Sequence, residues 1–169
     1  MKKPTPTDYP DFYQKYINEV IDEEIINYLS NQIDFVENFF TEIGEEKAKH
    51  RYAEGKWSIK EILGHINDCE RLFAARALHF ARDEKQNLIG FDEDNYVKSA
   101  NFDDLPLAQL LEDFKLMRNS TLSLFNTFNE TMWKREGIAN GVKFSVASIA
   151  YIIAGHFEHH IKVIKERYL

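Results

Sequence analysis

Three of the six histidines in this 169-residue chain fall in its last stretch, GHFEHHIKVIKERYL, residues 155–169. An imidazole can titrate near neutrality, ligate a metal or sit hydrogen-bonded in a core, and its place on its element decides which. The stretch reads as the end of a helix, on which each residue advances by about 100°. His156 and His160 then stand one turn apart on one face. That face is apolar: with Ile149 as origin, Ile152, Ile153, Val163 and Ile164 lie within about 60° of it, and both histidines lie among them. Glu158, Lys162 and Lys165 take the opposite face. Two imidazoles thus hold positions where a packing helix would place leucines, and breaks of a local rule tend to be functional.

Neutral imidazole nitrogen suits a borderline divalent ion, and a pair at i and i+4 spans a natural bidentate site. A third histidine from another helix, His65, would complete a set that keeps open positions, the pattern of a catalytic centre. The competing reading is a pair of hydrogen-bonded core histidines, and spacing alone weighs the two about evenly. His159 lies about 60° to the side of His156, near Glu166, and is expected at the surface or in an interface. His79 is expected on a solvated face, and His50 lies in a loop-like segment. Asp68 and Glu61 flank His65 at i+3 and i−4, within reach of a hydrogen bond to a ligating ring. Cys69, one turn past His65, reads as a small core residue before it reads as a ligand. No Gly-rich phosphate loop, G-x-S-x-G elbow or cysteine pair is present. A Cys69–His65 nucleophile pair has no evident third group to orient it.

Four amphipathic segments must position these groups. From Asp22 to Ile43, Ile25, Tyr28, Leu29, Val36, Phe39, Phe40 and Ile43 share one face, and Gly44 closes the helix. Gln32 lies inside that stripe and reads as a satisfied core amide. Ser58-x-x-Glu61 is a capping box, with Trp57 and Ile62 as its staple, opening a helix to about Arg82. His65 lies about 70° from the centre of that helix's apolar stripe, on the flank of Cys69, Leu72 and Arg76. Pro106 opens a third helix to about Phe128, with Arg118 in the middle of its stripe. Asn140-Gly141 between two short β-capable pieces signals a hairpin, after which Ser145 caps the last helix. WSIKEILGH and FSVASIAYIIAGH both run from an aromatic-Ser-aliphatic start into Gly-His. Asp11 to Val20 predicts a short helix. Residues 1–10, with three of the four prolines, predict an irregular arm. Residues 83–105 lack periodicity and predict a lid or wall loop around Phe91-Asp92-Glu93-Asp94.

The length fits a single domain over 1–169. A formal charge of −7 without a basic face argues against nucleic acid as partner. The longest apolar run, Val146 to Gly155, is about half of a membrane span. One cysteine and no signal-peptide pattern point to a soluble, cytoplasmic chain.

The run RYAEGKWSIKEILGHINDCERLFAARALHFARDEKQNLIGFDEDNYV resembles the DinB-like family in three features. These are a Trp-Ser/Thr cap, a helix histidine followed by Asp three residues on, and an acidic-aromatic loop. GHFEHHIKVIKERYL resembles that family's C-terminal His-x-x-His-His helix, and the combination points to its YfiT, or bacillithiol transferase, branch. The resemblance implies an all-α, up-and-down-type four-helix bundle, with a hairpin before the last helix. It also implies a divalent metal, zinc or nickel, on His65, His156 and His160. Relatives transfer a low-molecular-weight thiol onto small electrophiles, so a thiol co-substrate is implied, and others are regarded as metal-dependent hydrolases. Gly64-His65 stands where the branch has His-His, and Cys69-Glu70 where it has Ser-His.

The resulting expectation is a metal-dependent enzyme acting on a small molecule, most simply a thiol transferase. A hydrolase, a non-catalytic metal-binding stress protein and an inert helical module are the alternatives. Asp68 is expected to orient His65, and Asp92, Asp94 and Arg118 to shape the substrate pocket. The aromatics of the first helices fit a homodimer.

Overall fold

The computed structural model describes residues 2–21 and 24–169. Four long helices dominate: α2 (Ile25–Lys47), α3 (Ile59–Ala81), α5 (Leu107–Phe125) and α7 (Val146–Arg167). Shorter helices are α1 (Gln14–Glu19), α4 (Glu93–Ala100) and α6 (Glu130–Trp133), and a hairpin of β1 (Glu136–Ala139) and β2 (Val142–Ser145) precedes α7. This is the expected all-α bundle with its hairpin. α2 and α3 each pack against both α5 and α7, so these two consecutive long helices meet the same pair of neighbours. The predicted start of α2 at Asp22 lies outside the described residues.

Local chemistry explains the boundaries. Ser58 accepts from the Glu61 amide while the Glu61 carboxylate accepts from the Ser58 amide, so the capping box forms as read. Ser145 caps α7 by accepting from Ser148 N–H. Asn140 and Gly141 take φ of 52° and 75°, the left-handed pair that a two-residue hairpin turn demands. Gly44, also at positive φ, breaks the run of α2, but one further turn follows to Lys47. The stripe of α2 buries Ile25, Leu29, Val36 and Phe40, and α7 buries Ile149, Ile152, Ile153, Phe157 and Ile164.

One expectation about an irregular segment needs correction, and another gains a detail. The stretch after Gly90 is not a loop throughout, because Asp92 accepts from Asn95 N–H and caps α4. The extended segment before it adds to the hairpin, with Leu88 N–H donating to Ile138 and Asn140 N–H to Leu88. The N-terminal segment has no regular structure over its described residues, yet it is docked: Tyr9 is buried and Ser145 N–H donates to Asp8. Of the first aromatics, Tyr16 is buried, Tyr13 half-buried and Phe12 exposed at 63%. α1 lies directly on α7. A Cβ at Gly155 would stand 1.9 Å from the Tyr16 carbonyl oxygen, so the two backbones touch at that glycine.

Candidate metal centre

α3 and α7 pack along their length and bring His65 against His156 and His160. The His156 Nε2 lies 3.1 Å from the His65 Nε2 and 3.0 Å from the His160 Nε2. The His65 and His160 ring centroids are 4.9 Å apart. The His156 Nε2 thus stands within 3.1 Å of the Nε2 atoms of both other rings. Metal–nitrogen bonds of about 2.0–2.1 Å place two ligand nitrogens roughly 3.0–3.4 Å apart, so the donor set fits a divalent ion. Neighbouring rings hold the histidines in place: Trp57 lies 4.6 Å from His65 and Tyr16 lies 5.3 Å from His156, centroid to centroid.

Burial favours the neutral rings. It pulls His65 from 6.5 down to about 4, and it lowers His156 and His160 well below 6.5, helped by mutual repulsion among the histidines. Neutral imidazole is the form that donates to a metal.

Cys69 comes closer to this group than the sequence indicated. Its Sγ lies 3.6 Å from both ring nitrogens of His65, and donor atoms of His65, Cys69 and His156 all fall within 4.8 Å of one another. The helical repeat placed Cys69 beside His65, and only the packing of α7 brought it to His156. Burial pushes the thiol up, so it stays protonated at neutral pH.

The other expected residues lie elsewhere. Asp68 is half-buried, 3.9 Å from Arg71, with no hydrogen bond to His65 among the described residues. Asp92 is occupied as the cap of α4, and Asp94 is exposed on that helix. Arg118 contradicts the pocket reading. It is fully buried, its Nε and Nη2 bond both Glu70 carboxylate oxygens at 2.7–3.0 Å, and its Nη1 donates to Leu29 O and Gln32 Oε1. Gln32 passes this on by donating to Ala154 O and Glu158, the satisfied core amide expected. His159 is half-buried beside Tyr16, and His79 and His50 are exposed.

A cavity of about 370 Å³ opens onto His65, Cys69 and His156. Its walls are Tyr13, Tyr16, Phe73, Phe91 and Phe144, with Arg76 and Glu93 as its charged groups. The sequence placed Arg76 on the flank of His65 but gave it no role. Glu93, rather than Asp92 or Asp94, is the acidic residue of the run that faces the cavity. A Cβ at Gly64 would lie 2.5 Å from the Phe102 ring, so that ring fills the space beside the residue preceding His65.

Comparison with known proteins places this architecture. The model of the DinB superfamily matches residues 28–164. A protein of Oceanobacillus iheyensis named "Putative metal-dependent hydrolase OB0413" is 26% identical over 125 residues, 73% of this chain and 71% of its own length. Among solved structures, YfiT from Bacillus subtilis superposes with a TM-score of 0.69 at 17% identity, covering 97% of this chain and 90% of its own. YfiT is described as a probable metal-dependent hydrolase with an unusual four-helix bundle topology.

Proposed function

We propose, on the premise that the chain belongs to the DinB superfamily, that it is a divalent-metal enzyme joining a low-molecular-weight thiol to a small electrophile. The observation that carries the metal assignment is the convergence of His65, His156 and His160, with Nε2 contacts of 3.1 and 3.0 Å beside a cavity. Zinc and nickel suit imidazole donors. When bound, such an ion supplies Lewis acidity that brings the pKa of a coordinated thiol or water toward neutrality.

The chain's own residues supply the remaining requirements. Burial keeps the three imidazoles neutral, so their lone pairs are available at physiological pH. The aromatic walls exclude water and suit an apolar electrophile and a polarizable sulfur. Burial pushes the Tyr16 phenol up to about 12, so it remains a proton donor on the cavity wall. Cys69 stays a thiol, which argues against its acting as the nucleophile.

Metal analysis of purified protein tests the site. Wild type is expected to hold about one ion per chain, and His156→Ala or His160→Ala to lose it. Undiminished stoichiometric metal in either variant overturns the ligand set. Hydrolysis is the second reading, favoured by the descriptions of the two relatives. Conjugation of cysteine to monobromobimane, set beside hydrolysis of 4-nitrophenyl acetate, separates the two. Enzyme-dependent hydrolysis without conjugation reverses the preference.

A further inference from the structure

Arg76 is the positive charge among the residues that line the cavity, and Glu93 is the negative one. Arg76 follows His65 by eleven residues on α3, an offset that returns it to within about 20° of the same helix face and about 16 Å along the axis. Its side chain lies along the aromatic wall, the guanidinium carbon 5.5 Å from the Phe73 ring centroid and 5.9 Å from that of Phe91. His65 and Arg76 thus line one cavity, separated by Cys69 and Phe73.

The arginine is 93% buried, with 7% of its surface exposed. A guanidinium offers five N–H donors. Here Nη2 donates to the Ile89 carbonyl at 3.2 Å, and the positive charge opposes the upward push that burial gives the Tyr13 phenol. No carboxylate of the described residues lies within 4.0 Å of it, although Glu93 lines the same cavity. Burying a cation without a counter-ion is costly, whereas a planar fork of donors matches a carboxylate bidentately. Arg118 shows the paired alternative in the same molecule, since Glu70 takes its fork.

We propose that Arg76 is the anion-recognition residue of this cavity. It binds the carboxylate of a substrate whose flat apolar body lies against Tyr13, Phe73 and Phe91. The reacting end then lies toward His65 and His156, and this placement rests on the metal-enzyme reading. Carboxylate is favoured over phosphate because one guanidinium faces the ligand and Glu93 on the same cavity disfavours a dianion.

Direct binding to the metal-stripped protein tests this, with phenylacetate, phenylacetamide and phenyl phosphate as calorimetric probes. Phenylacetate is expected to bind at least tenfold more tightly than the isosteric amide. Arg76→Met should remove that preference, and Arg76→Lys should keep part of it. The proposal is overturned by equal affinity for acid and amide in wild type, by unchanged acid binding in Arg76→Met, by a preference for phenyl phosphate, or by no saturable acid binding. The acid–amide comparison is made on wild-type protein, so the test survives a variant that fails to fold. Loss of the ligand set would show in the metal content of His156→Ala and would leave these affinities unchanged, so the two failures are distinct.

Discussion

Two of the polar clusters inside this bundle are built on opposite rules. Glu70 and His65 both belong to α3, five residues and about 140° apart. Around Glu70 every strong donor meets an acceptor: the Arg118 fork, Leu29 O, Gln32 and Ala154 O form a connected network of opposite charges and complementary dipoles. Around His65 the partners are alike, with His156 against both His65 and His160, beside the buried Cys69 thiol whose sulfur lies 3.6 Å from the His65 ring nitrogens. The first cluster is complete with protein atoms. The second sets like groups against one another. A polar group inside a core therefore says little about chemistry until its partners are counted by kind.

The largest expected effect comes from opening the complete cluster. Arg118→Met leaves Glu70 buried and unpaired and should cost about 3–5 kcal/mol in denaturant unfolding, while metal content per folded molecule stays unchanged. Replacing Glu70 by Leu in the same chain should recover most of that loss. A parallel fall in metal content would show that the two clusters are coupled.

Acid acts on the other cluster. Unfolded histidines take up protons below about 6.5, which folded His65, held near 4 by burial, resists. Stability is thus full above pH 6.5 and falls as the pH drops toward 4, by roughly 3 kcal/mol for His65 alone. His156 and His160 act in the same direction. Thermal unfolding of metal-free protein between pH 7 and 5 measures this, and His65→Gln should flatten the curve. Metal should add a comparable increment, about 2.7 kcal/mol at a free concentration 100 times its Kd, which a chelator removes. Ser58→Ala, at the cap of the helix that carries both clusters, should cost about 1 kcal/mol and shift metal affinity less than twofold.

Much of this was legible in the sequence, and the unread part has a physical cause. Helix faces, the capping box, the hairpin turn and the inward direction of His156 and His160 follow from periodicity and local backbone chemistry, which act over a few residues. His65 was a candidate third partner from the residues themselves and again from the family resemblance, but its 3.1 Å approach to His156 is a property of how α3 packs on α7. The pocket expectation for Arg118 fails because its partner, Glu70, lies 48 residues away and no local rule connects them. Arg76 was visible on the correct flank, but its lack of an acidic partner is a property of the packed interior. Helix α4 was taken for loop because eight residues with one buried side chain carry almost no hydrophobic period.

The missing methyl at Gly155 has a consequence for how such a site can diversify. That glycine precedes His156 and receives the Tyr16 carbonyl, so one residue sets the separation between α1, which bears Tyr16 and follows Tyr13, and the helix bearing two of the histidines. A side chain there would lift one wall of the cavity off its floor without altering any residue that lines it. Chamber height and donor geometry are in this sense separately heritable, the first through the size of residue 155 and the second through the register of α3 on α7.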